Sequence, residues 1–252
     1  MCRHLVYLGP PRPLATTLFD APHSLSRQSW APRDMRGGGT INADGFGLAW
    51  YPAPGADPVR YRRDVPLWSD ADLPSLAGAT ATGAFLAAVR SATEGMPVVA
   101  TAAAPFVTGR WSFSHNGVVA GWPDSMVASA AGLPVRDLLT LEAPSDAALL
   151  WALVRHRLRA GDEPGRALAG AVARVLADAP GSRLNLLLTD GVNAYATTCG
   201  HALSAWSDGA ATLLASEPLD DDPRWRPVPD GALARAGAGT VNITSLLSEE
   251  IS

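Results

Sequence analysis

Cys2 directly follows Met1, so removal of one residue would leave a cysteine carrying a free α-amine. Nucleophile and general base would then sit on the same residue. A thiol reacts as its thiolate and needs a base or a lowered pKa to form it. An α-amine titrates at about 7.7–8.0, so it can take the thiol proton near neutral pH and later return it to a leaving group. To cleave an amide, such a cysteine also needs donors for the developing oxyanion, each worth on the order of 3–4 kcal/mol. It needs a grip on the acyl group as well.

Three motifs can supply these parts. In His115-Asn116-Gly117, the Asn carboxamide and the Gly N–H can converge on one oxygen, with glycine permitting close approach. Taken alone, Asn116-Gly117 reads as a sharp turn between strands. Arg90, in Arg90-Ser91-Ala92-Thr93 at the end of an apolar run, suits a bidentate grip on a carboxylate, or a purely structural role. Asp146 stands at a helix start, where it can bind an ammonium group, cap the helix, or do both.

The elements that must position these residues can be read in outline. Residues 2–8 fit a buried strand beginning at Cys2, and 12–40 read as loop with one helical turn. The stretch 42–51 turns into an alternating strand that pairs with 59–63 as a hairpin. A short helix is expected over 69–78, and a strand running into a loop over 83–93. Residues 110–122 read as a strand broken at Asn116-Gly117. Ser145 or Asp146 caps a helix with apolar positions 149, 150, 153, 154 and 158. A second helix runs from Pro164 to about Ala177. Strands are expected at 183–189, 193–198, 203–206 and 211–216, and an exposed loop at 220–231. Strands, a helix pair, then strands again imply an α+β fold of stacked antiparallel sheets with helices outside.

The chain has 252 residues, net charge −4 and 47% hydrophobic content, an ordinary globular composition. All 20 basic residues are Arg. The acidic balance gives no support for nucleic-acid or anionic-membrane partners. The first residues lack a sustained apolar core, and no apolar run approaches the roughly 20 residues of a membrane span. Cytoplasm is therefore the expected location. Cys2 and Cys199 are too few for a disulfide framework, and the five histidines show no metal-ligand spacing.

In combination, Cys2, Arg90, Asn116-Gly117 and Asp146 resemble the class II glutamine amidotransferases, a family of N-terminal-nucleophile hydrolases. The resemblance implies a four-layer αββα sandwich of two antiparallel sheets, formed by residues 2–252 as one domain. It implies that Cys2 attacks a γ-glutamyl carbonyl and that Asn116 and Gly117 form the oxyanion hole. It implies that Arg90 binds the α-carboxylate with help from Thr93, and that Asp146 holds the α-ammonium. Asn42 to Gly47 looks like the family's loop beside the nucleophile, with Gly45 and Gly47 permitting a tight turn.

The stretches MCRHLVYLGPP, HSLSRQSWAPRDMR, NADGFGLAWY, AAVRSATEG, APFVTGRWSFSHNGVV and ASEPLDDDPRWRPVPDG resemble one branch of that family. That branch removes glutamate from γ-glutamyl-hercynylcysteine sulfoxide in ergothioneine biosynthesis. Residues 124–180 carry the least of this likeness. Ammonia-donating members often have a polar residue where Ala104 stands and a Glu after the helix-start Asp, where this chain has Ala147-Ala148. The resemblance implies a small-molecule γ-glutamyl substrate, no metal or organic cofactor, and no obligatory protein partner. A glutaminase or amidotransferase subunit feeding ammonia to a partner synthase is the alternative. A catalytically silent binding protein is a third reading.

For the leaving group, Trp30, Trp50 and Trp111 could offer faces to a trimethylammonium, or serve as core and wall residues. Arg36, Glu94 and Glu217 are further candidates. His4 and His115 are expected to be structural, because the α-amine already serves as base. Cys199 is expected to be a buried small hydrophobe.

Overall fold

The computed structural model describes residues 2–34, 36 and 41–246. The chain opens with β1 (Arg3–Pro13), a π-helical turn (Thr16–Asp20) and α1 (Leu25–Gln28). The hairpin of β2 (Phe46–Trp50) and β3 (Val59–Arg63) follows, then α2 (Leu73–Ala79) and β4 (Ala81–Val89). β5 (Phe106–Thr108) and β6 (Trp111–Val118) form a second hairpin. Next come α3 (Val127–Ala131), α4 (Val135–Leu139), α5 (Asp146–Arg159) and α6 (Pro164–Asp178). The remaining strands are β7 (Arg183–Thr189), β8 (Ala194–Thr197), β9 (Ser204–Ser207), β10 (Thr212–Ala215), β11 (Arg226–Pro227), β12 (Ala232–Gly237) and β13 (Thr240–Ser245).

The strands make two antiparallel sheets. One has the order β11-β9-β10-β1-β4-β2-β3, the other β13-β12-β8-β7-β6-β5. β1 is central in the first sheet, with Leu5 opposite Ala87 of β4 and Ala215 of β10. Its side chains alternate as a strand requires. Leu5 and Tyr7 join the outer core with α1, α2 and their loops, whereas Val6 and Leu8 face the second sheet. The layer between the sheets is rich in alanine, with Ala84 and Ala205 meeting Ala194, Ala196, Ala232, Ala234 and Ala236.

The outer face of the second sheet packs against α5 and α6 through Leu149, Leu150, Leu153, Val154, Leu168, Val172 and Val175. Ser145 caps α5 by accepting the Ala148 N–H, and Glu163 caps α6 by accepting the Arg166 N–H, with Pro164 in the first turn. The layers are thus helix, sheet, sheet and a thinner layer of short helices.

Asn116-Gly117 is not a turn. Both residues lie inside β6, opposite Asn185 and Leu184 of β7. A Cβ on Gly117 would stand 1.8 Å from the Arg183 carbonyl oxygen, so close packing between strands is what requires glycine here. Gly47 likewise serves a strand rather than a turn, since a Cβ there would meet the Ala104 oxygen at 2.3 Å. Gly45 (φ 126°) is the residue that needs glycine's backbone freedom. The hairpin of β12 and β13 also lies beyond the expected strands.

Candidate active site

Where β1 begins and β4 and β6 end, a small cleft opens to solvent, and Cys2, Arg90, Thr93, Gly117 and Asp146 all line it. Its other walls include Ala102, Ala104, Phe106 and Ala147. β5 covers β6 only from Trp111 to Phe113. From Ser114 onward the edge of β6 away from β7 has no strand neighbour among the described residues, and Ser114, His115 and Gly117 reach the cavity along it.

Cys2 is half-buried, its Sγ 3.8 Å from the Ser91 carbonyl oxygen. Arg90 is nearly buried at the end of β4. Its Nη1 donates to the Pro97 carbonyl at 2.9 Å and to the Asp44 carbonyl at 3.5 Å. The 42–47 loop holds this strand end, because Asp44 Oδ2 accepts the Ala92 N–H at 2.8 Å and the Arg90 N–H bonds the Gly45 carbonyl. Asp146 is buried at the first turn of α5. Its Oδ2 accepts the Val119 N–H at 3.2 Å, and its Oδ1 accepts the Ala147 N–H at 2.7 Å. A carboxylate at a helix N-terminus is also favoured by the helix dipole.

Asn116 is completely buried and does not line the cavity. Its Nδ2 donates to Ser216 Oγ at 3.4 Å, and its Oδ1 has no partner among the described residues. His4, behind Cys2, has Nδ1 3.2 Å from Ser114 Oγ. Burial, reinforced by the neighbouring His115, His201 and Arg3, which would repel a second positive charge, lowers its pKa to about 3. His4 is therefore a neutral structural group at neutral pH, as is His201, lowered to about 3 by burial and Arg183.

The residue next to the nucleophile, Arg3, is fully buried and pairs with Glu217 at 2.9 Å. Glu217 also meets His23 Nε2 at 2.5 Å and accepts the N–H groups of Arg33 (2.8 Å) and Asp34 (3.1 Å). Burial alone would raise this carboxyl. The bonds from His23, Arg33, Arg3 and Asp34 outweigh burial and hold it below the usual carboxylate range. Glu217 is thus an anchor for the 33–34 segment and does not line the cavity. Exposed Glu94 and Arg36, which pairs with Asp34 at 3.3 Å, do not line it either.

The three tryptophans are also elsewhere. Trp50 packs on the outer core of the first sheet and Trp111 on the helix-side core. The Trp30 face is occupied by the Arg27 guanidinium, 3.9 Å from the ring centroid. The aromatic residue that does line the cavity is Phe106. Cys199 is only partly buried, packed against the helix-side core with its thiol pKa raised by burial.

No protein-family model matches the chain. A class II glutamine amidotransferase domain protein from Silicibacter pomeroyi superposes with a TM-score of 0.68 at 25% identity, covering 97% of this chain and 99% of that one. The glutamine phosphoribosylpyrophosphate amidotransferase of Bacillus subtilis shares the fold, with a TM-score of 0.69 at 15% identity over 97% of this chain and 49% of that one. Fold and site contents therefore define the class II glutamine amidotransferase type of N-terminal-nucleophile fold. Within it, the chain belongs to the gamma-glutamyl-hercynylcysteine sulfoxide hydrolase family. It is 41% identical over 98% of its length to the whole of that hydrolase from Mycolicibacterium smegmatis. It is 39% identical to the Mycobacterium tuberculosis H37Rv protein of the same name, covering 98% of this chain and 97% of that one.

Proposed function

We propose that this chain hydrolyses the γ-glutamyl amide of γ-glutamyl-hercynylcysteine sulfoxide to glutamate and hercynylcysteine sulfoxide, a step of ergothioneine biosynthesis, through a thioester on Cys2. The observation that carries this reading is the convergence of Cys2, Arg90, Thr93, Gly117 and Asp146 on one cavity. Arg90, aided by Thr93, takes the α-carboxylate of the glutamyl head, and Asp146 takes its α-ammonium. Two opposite charges a fixed distance apart orient the head, and the side-chain length then brings the γ-carbonyl to Cys2.

After Met1 is removed, the Cys2 amine accepts the thiol proton and the thiolate attacks the γ-carbon. The oxyanion is held by the N–H of Gly117, which lines the cavity, and by Asn116 Nδ2, which has to reach it from the buried position next to Gly117. The protonated amine then gives its proton to the leaving nitrogen as the C–N bond breaks. Water, deprotonated by the same amine, attacks the thioester, releasing glutamate and the thiol. These steps call for no metal, organic cofactor or protein partner. Residues 2–252 act as one domain in the cytoplasm.

Mass spectrometry on protein with Cys2 confirmed at its N-terminus tests this. Fast glutamate release from the sulfoxide, slow release from glutamine and none with Cys2→Ala is the expected result. A preference for glutamine would instead mark an ammonia-delivering subunit.

A further inference from the structure

The Asn116 carboxamide has two ends of nearly equal shape and opposite chemistry, NH2 donating and C=O accepting. An oxyanion hole requires the donor end. With no partner for Oδ1 among the described residues, the orientation must be set from the nitrogen side, and the atom there is Ser216 Oγ.

Ser216 directly follows β10. Its Oγ accepts the His4 N–H at 3.0 Å and lies 3.2 Å from the His4 carbonyl oxygen, to which it donates. A hydroxyl has one proton, and the His4 carbonyl, which also accepts the Ser216 N–H at 3.0 Å, lies within its reach. With the proton on that carbonyl, Ser216 offers Asn116 a lone pair. A carboxamide turned the other way would set Oδ1 against that lone pair, so the NH2 end faces Ser216 at 3.4 Å. Nδ2 carries two protons. One goes to Ser216, and the other remains for the reacting carbonyl.

We propose that Ser216 is a positioning residue that fixes the orientation of the Asn116 amide. Through His4 it also ties that amide to the strand bearing the nucleophile. The inference rests on the roles given above to Cys2 and Asn116. Ser216 directly follows a strand of the first sheet and Asn116 lies in the second, so the hydroxyl also links the two halves of the site.

The test is steady-state kinetics on γ-glutamyl-hercynylcysteine sulfoxide, with thermal melts, for Ser216→Ala, Ser216→Cys, Asn116→Ala and the Ser216→Ala/Asn116→Ala pair. Ser216→Ala is expected to lower kcat about tenfold, equivalent to ~1.4 kcal/mol, with KM within about twofold because the glutamyl head is held elsewhere. Ser216→Cys, nearly isosteric and a weaker acceptor, keeps the fold and loses about threefold or more in kcat. In the Asn116→Ala background the Ser216→Ala change costs less than about twofold, since the group it orients is gone. An unchanged kcat in Ser216→Ala or Ser216→Cys overturns the inference, as does an equal cost in both backgrounds. Activity surviving Cys2→Ala would instead overturn the nucleophile assignment, so the two failures are separable.

Discussion

Asp146 reaches the cavity with both carboxylate oxygens already accepting backbone N–H bonds, so its position is fixed before substrate arrives. Replacing it with Asn removes the charge that matches an ammonium while keeping the shape. A charge-assisted hydrogen bond is worth about 1.5–3 kcal/mol, so KM is expected to rise on the order of 10- to 100-fold with kcat little changed. Initial-rate kinetics decide it; an unchanged KM would remove Asp146 from head-group binding. The chemistry-bearing residue types were legible in the sequence because few alternatives exist for a thiol beside an amine or a guanidinium at a strand end. Ser216 and Glu217 were not legible in their positions. Serine and glutamate are common, and their partners His4, Asn116 and Arg3 lie at least 100 residues away along the chain. The placing of β10 beside β1 brings them to His4 and Arg3, and the stacking of the second sheet on the first brings Asn116.

At the scale of elements, the junction of β1 with the segment after β10 hangs on the Glu217 carboxylate. Removing its charge takes from the buried Arg3 guanidinium its Glu217 carboxylate, leaving the Asp34 carbonyl as an uncharged acceptor. Breaking such a pair from one side costs about 3–5 kcal/mol. Glu217→Gln is expected to lower the urea-unfolding free energy by about 3 kcal/mol, with the loss of order concentrated at residues 33–34 in hydrogen exchange. A change below about 0.5 kcal/mol would show that the pair is not load-sharing. Ser145→Ala should cost about 1 kcal/mol through the lost cap of α5 and should also loosen the neighbouring Asp146, raising KM; a melt and a KM series together check it. α5 and α6 were legible because apolar spacing and capping residues agree there. The Asn116-Gly117 break was misread because local turn preference yields to seven residues of pairing between β6 and β7. The β12–β13 hairpin escaped notice because its run of Ala and Gly carries little hydrophobic contrast.

For the whole molecule, buried neutral histidines govern the response to acid. His4 and His201 take up protons only near pH 3 when folded, but near about 6.5 in the unfolded chain. Between those values the unfolded state binds more protons, so stability rises with pH. The contribution is complete above about pH 6.5 and is lost as pH falls toward 3, by up to ~1.4 kcal/mol per pH unit for each histidine. Glu217, lowered from its ordinary 4.5, adds a loss in the same direction below that value. Urea midpoints at pH 7.5, 6 and 5 are expected to fall in order. A flat series would contradict the neutral state of the two imidazoles.

The alanine layer between the sheets has a further consequence. Cys2 leads directly into β1 of the first sheet, and Asn116 and Gly117 lie in the second, so the thickness of that layer sets the gap between attacking sulfur and oxyanion donors, as a shim sets the gap of a vice. A methyl-scale thickening far from the cavity would tilt one jaw against the other. Ala234, fully buried in this layer, is such a point. The tolerance of this enzyme for core drift should therefore be narrower in turnover than in melting temperature, and its interior alanines constrain the reaction as well as the packing.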